Sequence, residues 1–327
     1  MKKRILGKTG FEISEISLGT WQVGGKWGEP FDHNNADKIL NTAVDNGINF
    51  IDTADVYGDR ESEKAVGRLI KNRNERIYVA SKCGRRLQPH NNASYTPAAL
   101  RKFVEESLQN IGIDCLDLIQ IHCPPTEVYF RPEIFEEFEK LKSEGKILHM
   151  GVSVEKVEEA IKAIEYDCVT TVQIIFNMFR QRPAELFFKL ANDKNVGIIT
   201  RVPLASGLLS GKFTKQTTFG KDDHRNFNRD GAAFDKGETF AGIDYETGLE
   251  AVAKLKEKFP GTDQVMLALK WILMFEEVSC VIPGASKETQ LLNNIEASNF
   301  PELNSQEMET INQVYESYIK KQVHHIW

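Results

Sequence analysis

The sequence predicts an α/β protein built as a closed (β/α)8 TIM barrel, and three observations carry that expectation. Short apolar runs alternate with stretches of helical period along the chain, a pattern that implies parallel strand pairing with the helices outside. Eight runs of each kind occur, and 327 residues suit a barrel of about 250 residues carrying insertions. No break in composition divides the chain, so residues 1–327 are expected to form a single domain rather than two. An open doubly wound sheet is the rival architecture.

The elements follow in order. Residues 4–13, running from Arg4 to Ile13 around a Gly7-Lys8-Thr9-Gly10 turn, read as an N-terminal hairpin ahead of the barrel. Strands are expected at 15–18, 48–53, 77–82, 115–121, 147–153, 169–176, 197–203 and 279–284, where short apolar runs suit buried strands. Helices are expected at 34–46, 62–71, 96–111, 132–144, 154–164, 184–194, 263–275 and 289–297. Thr96-Pro97 before Ala98-Ala99-Leu100, and Arg131-Pro132 before Glu133-Ile134-Phe135, mark helix starts. The stretch 205–244 has little periodicity and reads as a long loop after strand seven. A loop of that length inside a barrel points to a lid. The charged stretches 139–146 and 250–258 read as solvated helix faces, and 305–321 as a C-terminal extra helix after the barrel closes.

Composition excludes several classes. Hydrophobic residues at 41%, charged residues at 27% and a mean hydropathy of −0.37 are those of a soluble globular protein. A net charge of −6 with a pI near 5.8 argues against a nucleic-acid partner. Cys83, Cys115, Cys123, Cys168 and Cys280 are odd in number and form no C-x-x-C pair, as expected in a reducing cytoplasm. Met1-Lys2-Lys3-Arg4-Ile5-Leu6-Gly7 is no signal peptide. No stretch approaches the roughly 20 apolar residues of a membrane span. His324 and His325 lack a third ligand at a metal spacing, so no metal is expected. Cys123 reads as a buried inert thiol in preference to an oxidant-sensitive one.

Functional groups of such barrels collect at the C-terminal ends of the strands. Asp52 ends the second strand with Tyr57 just beyond it, Lys82 ends the third and His122 the fourth. A tyrosine of ordinary pKa, about 10, needs a neighbouring ammonium to lose its proton readily. Lys82 supplies one, Asp52 holds that ammonium charged and aimed, and His122 orients a polar substrate atom. The group suits Tyr57 to give a proton to a developing alkoxide or take one from an alcohol. Taken alone each residue reads as structure, whether ion pair, core histidine or loop anchor. The joint placement on successive strand ends points to a site.

These residues carry a resemblance. "FIDTADVYGDRESE", "ASK", "LDLIQIH" and "EGKILHMGVS", in that order over essentially the whole chain, resemble the aldo-keto reductases. The resemblance implies a (β/α)8 barrel that binds NADP(H) without a Rossmann fold and moves hydride between C4 of the nicotinamide and a carbonyl carbon. It implies a catalytic tetrad at Asp52, Tyr57, Lys82 and His122, with Tyr57 as general acid in reduction.

The chain has no G-x-G-x-x-G after a strand, and "SGLLSGKF" at 206–213 fails as a Walker loop because Phe213 follows Lys212. Backbone N–H groups of that segment can still wrap a diphosphate, which brings Pro203, Leu204, Gly207, Leu208 and Lys212 to the cofactor. After strand eight, "VIPGASKETQ" offers Gly284 in a turn and Ser286 and Lys287 at a helix N-terminus, an anion site or a plain cap. The resemblance assigns Ser286, Lys287, Gln290 and Asn294 to the adenosine 2′-phosphate end, favouring NADPH. It assigns Ser153 and Gln173 to the carboxamide, where the family's usual asparagine is replaced by Val154. Arg201 stands where many members stack a tyrosine, and its guanidinium is expected against the nicotinamide or a nearby phosphate. Gly19, Thr20 and Trp21 resemble the segment beside the nicotinamide ribose, while Trp21 equally suits the substrate wall with Tyr57 and His122, or ordinary packing. Trp27, Tyr129 and 205–244 are further candidates for substrate loops.

The expected activity is thus NADPH-dependent reduction of aldehydes and ketones to alcohols, and the reverse, with a small carbonyl or alcohol as partner. A cofactor-sensing subunit resembling potassium-channel β subunits is the alternative. A barrel isomerase or lyase without cofactor is a third.

Overall fold

The computed structural model describes residues 1–25 and 29–327. Strands β1 (Lys3–Ile5) and β2 (Glu12–Ser14) pair antiparallel with Arg4 opposite Ile13, around a tight turn that Gly10 closes at φ 73°. Eight parallel strands then follow in sequence order: β3 (Leu18–Gly19), β4 (Phe50–Asp52), β5 (Tyr78–Cys83), β6 (Leu116–His122), β7 (Ile147–Ser153), β8 (Val169–Ile175), β9 (Gly197–Arg201) and β10 (Val278–Val281). Parallel bridges Ile16–Val281 and Gly19–Gly284 join the first strand to the last. The molecule is therefore a (β/α)8 barrel. Gly19 is required at the seam, because a Cβ there would stand 2.9 Å from the carbonyl oxygen of Ile282.

The outer ring consists of α1 (His33–Asp45), α2 (Glu61–Lys71), α3 (Pro97–Ile111), α4 (Pro132–Ser143), α5 (Val157–Ala163) and α6 (Phe187–Asp193), joined later by α9 (Gln264–Leu273) and α10 (Glu288–Glu296). Their starts are local chemistry. Thr96 accepts from the N–H of Ala99 ahead of Pro97, and Asp263 caps α9 through the N–H groups of Val265 and Met266. No helix among the described residues is long and apolar enough to cross a membrane.

Two cores result from the two-residue period of the strands. Ile51, Val79, Ile119, Val152 and Ile198 point outward into the layer beneath the helices. Phe50, Ala80, Leu118, Ile199 and Cys280 point inward and are plugged from below by Leu6 and Ile13 of the hairpin. One step up each strand, at i+2, the same inward face changes character. Asp52, Lys82 and Gln120 follow Phe50, Ala80 and Leu118, and His122 follows Gln120. The apolar floor supports a polar upper storey.

Several boundaries differ from expectation. The first strand is shorter than 15–18 and lies later, because Glu15–Ser17 instead runs beside β10, with Ser17 N–H donating to Val281 O at 2.9 Å. The segment 205–244 is not structureless. It contains short turns at Ala205–Ser210, Lys236–Glu238 and Phe240–Gly242 and the one-turn helix α7 (His224–Phe227). Side chains pin it: Ser206 Oγ donates to Glu238 O at 3.0 Å, and Trp327 Nε1 donates to Asp235 Oδ1 at 2.8 Å. Helix α8 (Tyr245–Lys258) follows at once, longer than the face read at 250–258. The terminal helix is interrupted, as α11 (Ser305–Val314), a π turn at Tyr315–Ile319 and α12 (Lys320–Val323).

Candidate active site

The tetrad residues converge above the polar storey. Lys82 is fully buried, and its ammonium pairs with Asp52 Oδ1 while donating to Thr53 O at 2.9 Å and Tyr57 OH at 3.1 Å. An ammonium has donors only, so the phenol oxygen is the acceptor in that last bond. The phenol's own proton stays free to be aimed elsewhere. Asp52 is held from its other oxygen, Oδ2, by the amides of Gln120 at 3.0 Å and Gln173 at 2.8 Å. The His122 ring stands edge-on to Tyr57 with centroids 6.1 Å apart.

Burial and charge set the protonation states. Burial pulls the Lys82 ammonium down, but Asp52 and Tyr57 outweigh it and hold the group above its ordinary value, fully charged. Burial raises the Tyr57 phenol, and the opposing pull of Lys82 does not reverse this. Tyr57 is thus a phenol with a primed partner. Its ring is still part-exposed at the cavity, so water in the open site softens the burial effect. His122 is driven well below the usual histidine range by burial and then by Arg85, Lys82 and Arg201. It is neutral at physiological pH.

A cavity of about 730 Å³ opens over these groups. Asp52, Tyr57 and His122 line it, with Gly19, Trp21, Gln173 and Arg201. Pro203, Leu204, Gly207, Lys212, Gly284, Gln290 and Asn294 line it as well. The structure does not bring the remaining candidates to this surface. Thr20 is buried, its hydroxyl donating to Asp52 O at 3.1 Å as a strut. Ser153 lies beneath Gln173, 3.5 Å from its Oε1. Leu208 is fully buried in the core. Ser286 sits outside the lining with its hydroxyl 3.1 Å from Gln290 Oε1, and exposed Lys287 is the residue preceding α10. Tyr129 is a core residue whose hydroxyl donates to Ser153 O at 3.3 Å, so its expected place in a substrate loop is corrected. Trp27 lies outside the described residues.

Arg201 reaches the cavity but is not a free guanidinium. Its Nη2 donates to Val154 O at 3.0 Å and Glu155 Oε2 at 2.9 Å, and Nη1 lies 3.7 Å from Glu238 Oε2. Arg85 completes the cluster, 2.9 Å from Glu238 Oε1. Burial drives Glu155 up, whereas in Glu238 the same burial is overcome by Arg85 and Arg201 and the carboxyl is held low. Cys123, Glu155 and Glu238 bring their ligand atoms within 4.8 Å of one another, but two guanidinium groups already occupy those carboxylates. Cys123 is buried, and burial raises its thiol far above reactivity.

Several residues in or beneath the site had no usable signal. Gln120 hides inside an apolar run. Arg85, Glu238 and His224 lie in loops without periodicity, and their relevance comes from packing. Both His122 and His224, the latter held down to about 4 by burial, are neutral in the fold. An unfolded histidine titrates near 6.5, so below that pH the unfolded chain binds more protons and stability falls. The slope is at most about 1.4 kcal/mol per pH unit per histidine. Asp55, raised to about 7 by burial and Glu63, and Glu155 act with the opposite sign over the same window, so the comparison must be differential. His122→Asn should lose about 1 kcal/mol less than wild type between pH 7.5 and 5.5, from urea unfolding at both.

Comparisons with known proteins converge. The sequence profile described as the aldo/keto reductase family matches residues 15–316. The chain is 31% identical over 326 residues to the aldo-keto reductase YhdN of Bacillus subtilis, covering 99% of this chain and 96% of that protein. It is 28% identical over 320 residues to the NADH-specific methylglyoxal reductase of Escherichia coli, covering 91% and 94%. The solved glycerol dehydrogenase of Gluconobacter oxydans superposes with a TM-score of 0.78 at 29% identity, covering 97% of this chain and 96% of that one.

Proposed function

This chain belongs to the aldo/keto reductase family of oxidoreductases, and we propose that it is an NADPH-dependent reductase of small aldehydes and ketones, running also in reverse on alcohols. The observation that carries this reading is the Lys82 ammonium 3.1 Å from the Tyr57 oxygen. That contact leaves the phenolic proton as the one available to a substrate oxygen in the cavity.

The residues present fit a dinucleotide. The cavity of about 730 Å³ is lined by both Tyr57 and Asn294, room enough for an extended ligand. The left-handed backbone at Ser206 and Gly207, at φ 56° and 92°, lets a diphosphate approach the chain closely, and Lys212 adds a cation at the wall. The first turn of α10 has no side-chain cap, so its N–H groups remain for an anion, with Lys287 and Ser286 beside them. That pairing favours a 2′-phosphate and hence NADPH. Gln173 would hold the carboxamide from above Asp52, and Arg201 the ring or adjoining phosphate. Bound there, the nicotinamide supplies the hydride.

The chain's own groups do the rest. His122, neutral and facing the cavity, orients the carbonyl by a hydrogen bond. Tyr57 gives its proton to the oxygen as negative charge develops, a step aided by Lys82 because the ammonium stabilises the phenolate left behind. In oxidation the phenolate accepts the alcohol proton. Asp52, tied by two amides, keeps Lys82 charged and directed throughout.

The test is the loss of NADPH absorbance in the presence of a panel of aldehydes, ketones and dicarbonyls. Consumption with at least one carbonyl is the expected result. Binding of NADPH without consumption of any carbonyl would support a sensor instead, and absence of binding would end the reading.

A further inference from the structure

The turn after β5 brings a guanidinium to the barrel mouth, beside the tetrad but outside it. Strand β5 ends at Cys83, paired with Ile121 of β6, so Arg85 leaves its strand next to the one that ends in His122. Gly84 makes the turn at φ 99°, where a Cβ would stand 2.7 Å from the Tyr95 ring. Arg85 lines the cavity together with Tyr57, His122 and Phe234. Its charge is the strongest of those acting on the His122 ring, and its guanidinium carbon lies 5.6 Å from the centre of the Phe234 ring.

Only one nitrogen of this group is engaged. Nη2 donates to Glu238 Oε1 at 2.9 Å. Nη1 stands 3.9 Å from Glu155 Oε1, beyond hydrogen-bond reach. Nε and Nη1 thus carry protons without an acceptor among the described residues. Neither is sealed: the buried unpaired atoms of the cluster include Arg201 Nε and Glu155 Oε1 but no atom of Arg85, whose side chain keeps 19% of its surface exposed. Glu238 does not answer the whole charge, since its other oxygen lies 3.7 Å from Arg201 Nη1 and one carboxylate is divided between two guanidinium groups.

An accessible cationic N–H beside the carbonyl-orienting histidine calls for an acceptor on the substrate. A carboxylate satisfies it best, because a hydrogen bond between ions is roughly twice as strong as one between neutral groups. An alkyl chain would leave the donor facing carbon once water is expelled, at the cost of an unpaired polar group.

We propose that Arg85 is a specificity-determining residue whose Nε and Nη1 hold a carboxylate of the substrate while the substrate's carbonyl lies at Tyr57 and His122. The inference rests on the carbonyl-reductase reading above and narrows its substrate to aldehydes and ketones that carry a carboxylate elsewhere on the molecule. Glu238 keeps Nη2 and steadies the group. The neighbouring cations are not equivalent. Lys82 is fully buried and bound to Asp52, Thr53 and Tyr57. Arg201 spends Nη2 on Val154 O and Glu155 Oε2.

The experiment measures kcat/KM with NADPH for succinic and glutaric semialdehydes, their methyl esters and butanal, in wild type, Arg85→Met and Arg85→Lys. The esters keep a neutral acceptor and lose the charge, while butanal has neither. Wild type is expected to favour at least one acid over its ester. Arg85→Met is expected to lower that acid-to-ester ratio by about 10- to 100-fold, mainly through KM, and Arg85→Lys to recover part of it. A wild type that reduces the esters or butanal as well as the acids would overturn the proposal without any variant. So would an unchanged ratio in Arg85→Met, or an equal fall for every substrate, the mark of a structural role through Glu238. A fall shared by acid and ester but spared in butanal would overturn it too, by assigning Arg85 to a neutral acceptor. Each of these results leaves carbonyl reduction standing. No consumption of any carbonyl by wild type sinks the inference together with the reductase reading.

Discussion

Replacing Tyr57 by Phe should lower kcat by about 10²- to 10⁴-fold, the usual contribution of a positioned proton donor, while NADPH affinity stays within a few-fold of wild type. The phenyl ring keeps its place beside His122 and Trp21, so the geometry survives and the transferable proton alone is lost. The cost in stability should be small. Lys82 retains Asp52 and Thr53 O as partners, and one neutral hydrogen bond is worth about 1 kcal/mol. In wild type, burial holds the phenol above 10, so the rate of reduction should be flat through neutrality and fall only in strong alkali. Stopped-flow turnover with fluorescence titration of NADPH checks both halves. Near-normal turnover in Tyr57→Phe would assign the proton to another group.

Replacing Lys82 by Met should produce the largest loss of stability among the tetrad, together with loss of activity. The side chain is fully buried and the Asp52 carboxylate is almost so. Without the ammonium that carboxylate keeps only the amides of Gln120 and Gln173. Breaking a buried pair from one side costs about 3–5 kcal/mol, because the remaining charge is uncompensated. The double variant Lys82→Met with Asp52→Asn removes both charges and should recover much of that stability without recovering turnover. Urea unfolding of the two single variants and the double, read as a mutant cycle, separates the structural from the chemical role. If the double variant were no more stable than Lys82→Met alone, the ion pair would not be the source of the loss.

The barrel and its tetrad were legible in the sequence for one shared reason. Strand periodicity is local, and residues i and i+2 face the same side whatever the rest of the chain does. Phe50 and Asp52, or Ala80 and Lys82, therefore announce an apolar floor with polar groups above it. Strand ends at one mouth place Asp52, Lys82 and His122 together without knowledge of any distant contact. Caps such as Thr96-Pro97 are equally local. The hidden parts are of another kind. Gln120 reads as one polar residue in an apolar strand until its amide is found on Asp52. The segment 205–244 has no period, because short turns pinned by individual side chains replace regular helix.

Sequence order alone thus specified the architecture and the meeting of Asp52, Lys82 and His122 at one barrel mouth, since both depend on spacing along a few neighbouring residues, while the family was legible as a resemblance running over essentially the whole chain. Folding settled which charges share a space: Arg201 with Glu155 and Glu238, two amides on one carboxylate, and His224 against Trp21 at the substrate end. Those partners are dozens of residues apart, and their protonation follows from distance and exclusion of water, quantities that exist once the barrel has closed and the long segment has docked over it.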